Sequence, residues 1–418
     1  MSKSLIVTGD PSGQTFSDNT TGYSPVCGAL LASFTTESRV QVPIRDAGSF
    51  TDFYSYVPTN TASVSSTITL RKSLADTAIL VTYTADQTGA KTDTDSVAFA
   101  NTDEANYEVT VPTETGSNSI AISVLSISFV PDTTTNCIAF LVTFGSGSVG
   151  AGGALTYYFG PIDSVTSASP SDTTPEADVK YRVRASFTTS DLFTNVSANA
   201  RTTNSVFSTR KNGGAGGQSV TYTSTQTGQK EDTSGSDSLV AGDDYNYEFV
   251  LSTGTETIAF QIISTTCIST ANIFPMLMGN KVGKAFSNST SFFLVDQFLS
   301  ASSLTETPSQ ALPNFNFTAN ELVSYVESNT NALFSFDIFF RDNGADSAIT
   351  VSYAAAQTGL KNDASNTATI TGGSDEVNYS VINNDLTGVV TLNWVGILGN
   401  TAVAASTRIP TLLLMGAG

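Results

Sequence analysis

The chain has 418 residues, which is long enough for two to four domains that each bury a core of their own. Charged residues make up 13%, and 37 acidic residues against 18 basic ones give a formal net charge of −19. Nucleic acids and anionic membranes are bound through clustered Lys and Arg, so this balance argues against both as partners.

Histidine is absent from the sequence. Its absence removes the Ser-His-Asp and Cys-His arrangements, the usual acid–base group at neutral pH and the commonest ligand of zinc, copper and iron. Three cysteines, Cys27, Cys137 and Cys267, are too few and too scattered for a disulfide framework, so we expect them to be buried apolar side chains. The sequence predicts a protein that is not an enzyme, without catalytic residues, cofactor or metal.

Taken in chain order, the first pattern that stands out is a motif that occurs three times. The spacing is rigid, because each motif residue recurs after 139 residues and again after 131 residues. Such periods are the length of a domain and far exceed the units of solenoids and propellers. The nine candidate contact or turn residues of the motif are Arg71, Gln87 and Lys91, then Arg210, Gln226 and Lys230, then Arg341, Gln357 and Lys361.

Strand signals dominate inside each copy. Residues 67–71, 79–84 and 119–124 alternate between apolar and polar side chains, as half-buried strands do. Asn212-Gly213 and Asn343-Gly344 fall between two such runs and predict type I′ hairpins. The first copy has Ser73-Leu74 at this position, so we expect a different turn type there.

We predict an all-β chain of three tandem jelly-roll-like β-sandwich domains. Residues 155–160, 273–279 and 409–416 are apolar runs that we interpret as the ends of the copies, and the polar residues 164–175 as a loop or linker. The predicted domains are therefore residues 1–160, 161–280 and 281–418.

The succession of Arg71, Tyr83, Gln87-Thr-Gly89 and Lys91, followed by Asn106-Tyr107, resembles the jelly-roll heads of the C1q/TNF-like class, which occur in phage virion surface proteins. The resemblance covers residues 67–111 and their counterparts. It implies a tendency to form trimers. Two arrangements stay open, namely a single-chain pseudo-trimer and a string of domains that each trimerise between chains.

Two interpretations also stay open for the motif residues. The Gln and Lys residues present a ligand or partner contact three times, or they form a turn in which Gly adopts a positive φ. Arg71 and its counterparts bond to an acidic residue of the neighbouring copy, or they are ordinary exposed strand residues. The acidic pairs at 103–104, 243–244 and 375–376 bind calcium, or they are solvated turn carboxylates.

The resulting hypothesis is a structural protein on the virion surface, a capsid-decorating or head-fibre protein of a bacterial virus whose partners are other capsid or virion proteins. The alternative is a receptor-binding tail fibre or adhesin head that binds a host glycan. A third hypothesis is a glycan-cleaving tailspike domain, since two carboxylates suffice for that chemistry. Glycan-binding heads tend to expose Trp, whereas Trp394, the one Trp of the chain, lies in a predicted core strand.

Overall fold

The structure is a computed structural model that describes residues 3–30, 34–113, 118–133, 136–145, 148–150, 153–165, 175–296 and 302–401. Its strands form six sheets, which pair into three β-sandwiches along the chain. None of the helices within these ranges has the length and apolar character that a membrane crossing requires. The predicted all-β architecture of three tandem jelly-roll-like sandwiches is confirmed.

The first sandwich packs a sheet of order β3-β1-β11-β5-β9 against a sheet of order β2-β10-β7-β8. A 3₁₀ turn at Glu37–Arg39 precedes β4. The strands are β1 (Ser4–Ser17), β2 (Thr20–Pro25), β3 (Gly28–Ala29), β4 (Val42–Pro43), β5 (Gly48–Val57), β6 (Thr59–Asn60), β7 (Ser66–Lys72), β8 (Ala75–Tyr83), β9 (Gly89–Phe99), β10 (Glu104–Val111) and β11 (Ser119–Pro131).

The second sandwich repeats this arrangement with the orders β15-β12-β22-β17-β20 and β14-β21-β18-β19. A single helical turn, α1 (Glu176–Val179), takes the place of the 3₁₀ turn. The strands are β12 (Cys137–Gly145), β13 (Ser148–Val149), β14 (Leu155–Phe159), β15 (Asp163–Val165), β16 (Tyr181–Arg182), β17 (Phe187–Asn199), β18 (Ser205–Lys211), β19 (Gly214–Tyr222), β20 (Gly228–Leu239), β21 (Asp244–Leu251) and β22 (Ile258–Ser269).

The third sandwich has the orders β23-β30-β25-β28 and β24-β29-β26-β27, with a 3₁₀ turn at Thr307–Ser309. All three copies therefore share one connectivity of eight main strands in two four-stranded sheets, which is that of a jelly roll. The strands are β23 (Ile273–Phe286), β24 (Ser289–Phe293), β25 (Phe317–Asn329), β26 (Phe336–Asp342), β27 (Ala345–Tyr353), β28 (Gly359–Ile370), β29 (Val377–Asn383) and β30 (Val390–Asn400).

The hairpin turns of the three copies have the same backbone conformation. Asn212 and Gly213 have φ values of 53° and 75°, and Asn343 and Gly344 have nearly the same values. Ser73 and Leu74 of the first copy also have positive φ values, 46° and 71°. The prediction of a different turn type in the first copy is therefore wrong, because flanking strands in the same register impose the I′ geometry on less suitable residues.

The sheets divide the chain at other positions than residues 160 and 280. β12 pairs with β22 and β14 pairs with β21, so residues 137–159 belong to the second sandwich. Likewise β23 pairs with β30 of the third sandwich. The boundaries therefore lie between β11 and β12 and between β22 and β23, because the apolar runs that we interpreted as ends of copies form strands of the next sandwich. Most of the predicted linker 164–175 and all of residues 409–416 lie outside the described residues.

Each sandwich shares its apolar core with the next one, in a closed cycle. The core of the first sandwich includes Phe193 of β17, and that of the second includes Val323 of β25. The core of the third includes Tyr54 of β5. Strand registers place these three residues at the same position of each copy. The chain is thus a single-chain pseudo-trimer, in which the first sandwich contacts the second, the second the third and the third the first.

Polar contacts close the same cycle at a second equivalent position. Arg45 Nη2 donates to Glu231 Oε2 at 3.0 Å between the first and second sandwiches. Between the second and third, Arg184 Nη2 donates to Glu321 Oε2 at 2.6 Å. Between the third and first, Asn314 Nδ2 donates to the main-chain oxygen of Asp52 at 3.2 Å.

The shared cores predict that the ring unfolds as one unit. Replacing Phe193 with Ala should cost about 3–5 kcal/mol, the usual loss for a buried Phe. Urea unfolding followed by the fluorescence of Trp394 tests this sharply, because Trp394 belongs to the core shared by the second and third sandwiches. We expect the Trp394 transition to move to lower urea.

The matched control is Leu80→Ala on the outer strand β8, where the side chain is 42% exposed and its loss should cost well under about 1 kcal/mol. A Trp394 transition that Phe193→Ala leaves unchanged would show three independently folding domains instead.

Candidate functional site

The three motif arginines bind an acidic residue of their own copy. Arg71 on β7 donates from Nε and Nη2 to the two carboxylate oxygens of Glu37, at 2.9 and 3.0 Å. This bidentate bond raises the pKa of Arg71 and fastens the 3₁₀ turn to the outer sheet. Neither interpretation from the sequence holds, since the carboxylate is not in a neighbouring copy and the arginine is largely buried. The equivalent pairs are Arg210 with Glu176 and Arg341 with Glu306.

The Gln-Thr-Gly-x-Lys segment forms a turn that bonds to its own sandwich. Gln87 Oε1 accepts from the main-chain nitrogen of Thr84 at 3.0 Å, and Gly89 has φ +94°. Lys91 Nζ donates to a main-chain carbonyl and lies 5.1 Å from the ring centre of Tyr83. These contacts belong to a turn and leave each lysine bonded within its own copy. They recur at Gln226, Gly228 and Lys230, and at Gln357, Gly359 and Lys361.

The recurrent acidic residues cap turns in the same way. Asp103, Asp243 and Asp375 each accept a bond from a main-chain nitrogen three or four residues earlier, at 2.7 to 2.9 Å. The bond from Thr371 lowers the pKa of Asp375. Within the described ranges, no three His, Cys, Asp or Glu side chains converge as metal ligands would. The three cysteines are free and buried.

The third sandwich carries a cluster of exposed apolar side chains at one end, which we call the apolar tip. Leu333 and Phe334 are 82% and 48% exposed, and Leu386 and Val389 are 77% and 39% exposed. Asp385 holds their two loops together by accepting four main-chain N–H bonds at 2.9–3.2 Å, which lower its pKa. The corresponding loops at 61–65 and 200–204 are one residue shorter and contain no Leu or Phe.

A groove with a volume of about 480 Å³ lies between the first and second sandwiches and is open to solvent. We call it the interface groove; Arg39 of the first sandwich and Asn195, Ser197, Thr227 and Gln261 of the second line it. Asn195 Nδ2 donates to the main-chain oxygen of Ser38 at 3.0 Å and joins the two sandwiches at its base. The comparable cavity between the second and third sandwiches, beside Tyr181 and Trp394, is much smaller, with a volume of about 20 Å³ and a mostly apolar lining, so it has room for little more than a water molecule.

A buried carboxylic acid lies where the three sandwiches meet. Asp296 follows β24, and strand registers place it at the same position as Cys27 and Ile162 of the other copies. Its Oδ1 accepts from the main-chain nitrogen of Leu277 at 3.1 Å. Burial raises the pKa of Asp296 to about 8. Burial also raises the pKa of the Cys27 thiol, and the nearby Asp296 carboxylate raises it further.

The residues that join the sandwiches were missed by the sequence analysis. Arg45, Arg184 and Asn314 occupy one position of the repeat, three residues before the first residue of β5, β17 and β25. Their partners lie on other copies. A residue-by-residue alignment outside the motif would have shown this position to be polar in every copy. It would not have identified the partners, which lie 137 or more residues away along the chain.

No family model matches the sequence, and no curated protein matches it at a significant level. One matching solved structure concerns the triple jelly roll fold and turret assembly in an archaeal virus. It is 10% identical, and the alignment covers 86% of this chain and 81% of that one with a TM-score of 0.18. A superposition of that quality carries no argument about this chain.

The turn glycines yield a stability prediction. Gly89, Gly228 and Gly359 have φ between +90° and +94°, and no atom lies within 4 Å of a Cβ built on any of them. Replacement with Val should therefore cost about 1–3 kcal/mol through backbone strain alone, without a clash. Replacement with Asn, which tolerates positive φ better, should cost less. Urea unfolding of the Val and Asn variants measures the difference, and equal stability of the two would contradict this account.

The raised pKa of Asp296 predicts that the stability of the fold depends on pH. Its pKa is raised from 3.8 in the unfolded chain to about 8 in the folded chain. The contribution of the protonated acid is thus complete below about pH 4 and is lost progressively as the pH rises through about 8, by up to roughly 6 kcal/mol. Asp296→Asn should flatten this part of the profile of unfolding free energy against pH.

The control for this profile is Asp95→Asn, which replaces an exposed carboxylate on β9. Between about pH 4 and about pH 8, this variant should show the same slope of unfolding free energy against pH as the parent chain. An Asp296→Asn variant that keeps the parental slope would show that Asp296 ionises normally in the folded protein.

Proposed function

We propose that this protein is a non-enzymatic structural protein of a virion, displayed on its surface as a capsid-decorating or head-fibre protein. The proposal rests on the closed ring of three sandwiches. Each sandwich completes the apolar core of its neighbour, so the inner sheets are buried against one another and the chain forms one compact block. Such a block is suited to being attached and displayed. A relationship to the C1q/TNF-like class and a bacterial virus as its source are parts of the same proposal.

The outer surface supports a partner of a particular kind. Among the described residues, ten Lys and Arg side chains are neutralised by ion pairs within the chain. With a net charge of −19, the exterior is therefore acidic. The apolar tip on the third sandwich interrupts that exterior with four exposed apolar side chains. No Lys or Arg occurs in residues 326–340 or 377–400 around it. We infer that the tip attaches the block to another capsid protein that offers an apolar pocket with a basic rim.

Attachment through the tip can be tested on purified particles. The triple variant Leu333→Ser, Phe334→Ser, Leu386→Ser should fold normally, because the three side chains are largely exposed and Asp385 still holds the loops. Quantitative mass spectrometry of gradient-purified virions should find the parent chain at a fixed ratio to the major capsid protein. The triple variant should be depleted at least about tenfold, the effect of losing roughly 1.4 kcal/mol of binding.

The control is Leu304→Ser, which removes a side chain that is 77% exposed, as Leu386 is, from another loop of the same sandwich. It should attach like the parent chain. If the parent chain is recovered in the soluble fraction and not with particles, the proposal fails. If it is recovered on tails, the receptor-binding fibre is the better hypothesis.

A further inference from the structure

We propose that the interface groove binds an acidic saccharide, whose carboxylate is held by Arg39 and whose hydroxyl groups bond to the amide and hydroxyl side chains around it. This inference concerns a ligand site and does not depend on whether the chain belongs to a virion.

The groove exists because one of three equivalent aromatic residues is replaced. Strand registers place Asn195 of β17 at the same position as Tyr56 of β5 and Tyr325 of β25. Tyr56 packs against the core of the third sandwich, and Tyr325 against that of the second. Asn195 is much smaller and bonds to Ser38 at the base of the groove. The interface between the first and second sandwiches is therefore open where the other two are filled by a tyrosine ring.

The charge of the groove comes from Arg39, since the other residues that line it are uncharged. The guanidinium carbon lies 4.8 Å from the ring centre of Phe34, which holds the planar group in place. Among the described residues no carboxylate forms an ion pair with Arg39. A fixed guanidinium without a counter-ion is suited to bind a carboxylate through paired hydrogen bonds.

The remaining lining matches a sugar ring. Gln261, a residue that is 5% exposed, forms part of the wall of the groove. Ser197 and Thr227 add hydroxyl groups that can donate and accept. The groove has a volume of about 480 Å³, which exceeds what a single small anion needs, and it is open to solvent. The combination of one cation with several neutral polar groups favours a carboxylated, hydroxyl-rich ligand.

The equivalent position between the second and third sandwiches shows the opposite chemistry. There the residue equivalent to Arg39 is Asp178, and the Tyr325 hydroxyl donates to it at 3.5 Å. Tyr325 stacks on Trp394 with a ring separation of 6.2 Å. A negative charge behind a filled interface would reject a carboxylate. We therefore expect one acidic saccharide site per chain and not three.

Two variants test the site by different routes. Asn195→Tyr fills the groove with the residue that the chain already accommodates at positions 56 and 325. Arg39→Gln keeps a polar side chain of similar reach but removes the charge. The probes are trigalacturonate and sialyllactose as two acidic saccharides, with maltotriose as the neutral one, titrated calorimetrically into the full chain.

The parent chain should bind an acidic probe with a stoichiometry of one and maltotriose at least about tenfold more weakly. Each variant should lose at least about tenfold in affinity for the acidic probe while keeping the parental thermal transition. Arg182→Gln removes a guanidinium that is ion-paired with Asp244 outside the groove, and it should bind like the parent chain.

Which acidic probe binds identifies the ligand as a uronate or a sialic-acid-type sugar. The proposal is overturned if neither acidic probe binds at millimolar concentration. It is equally overturned if maltotriose binds as tightly as the acidic probes, or if Arg39→Gln and a correctly folded Asn195→Tyr bind like the parent chain.

Discussion

The arrangement of the whole chain depends on the need of each jelly roll to cover its inner sheet. β11, β22 and β30, the central strands of these sheets, are buried along almost their whole length on both faces. One face lies against the strand's own sandwich. The other is covered by a neighbouring copy, which inserts Phe193, Val323 or Tyr54 into the shared core. A single copy would leave this second face in water, at a cost of about 25 cal/mol for each Å² of apolar surface. Closing the ring removes the exposed face from all three copies at once.

Equivalent positions within the ring carry different chemistry. The first two interfaces are joined by an arginine and a glutamate, whereas at the third Asn314 bonds to a main-chain oxygen. Asn195 stands at one interface where the other two have tyrosine. A carboxylate placed against the wrong neighbour would lose its arginine and stay partly buried, which is expensive. These differences specify which copy packs against which, so the order of the ring follows from side-chain chemistry as well as from the short links between copies.

The sequence allowed the repeat, the strands and the turns to be predicted because these are local features with a fixed period. Arg71, Gln87 and Lys91 became candidates because they occur in all three copies. They recur because they hold together turns that are present in each copy of the fold. The domain boundaries could not be placed in this way. The apolar run 137–145 is compatible with a last strand of the first domain and with a first strand of the second, and only its pairing with β22 distinguishes the two. The substitution that opens the interface groove was visible in the sequence, as Tyr56, Asn195 and Tyr325 in one aligned column. Its consequence could not be predicted from the sequence, because only the structure shows that these three residues face a neighbouring copy.

Linking three jelly rolls in one chain frees them from exact symmetry. In a trimer of identical chains, a substitution that opens one interface opens all three, and an exposed apolar loop appears three times. In this chain each copy can change by itself. The apolar tip occurs on the third copy, the buried acid Asp296 stands where the other copies have Cys27 and Ile162, and the groove occurs between the first and second copies. One chain can therefore combine the proposed attachment surface with a separate proposed ligand groove, which a symmetric trimer could present only in triplicate.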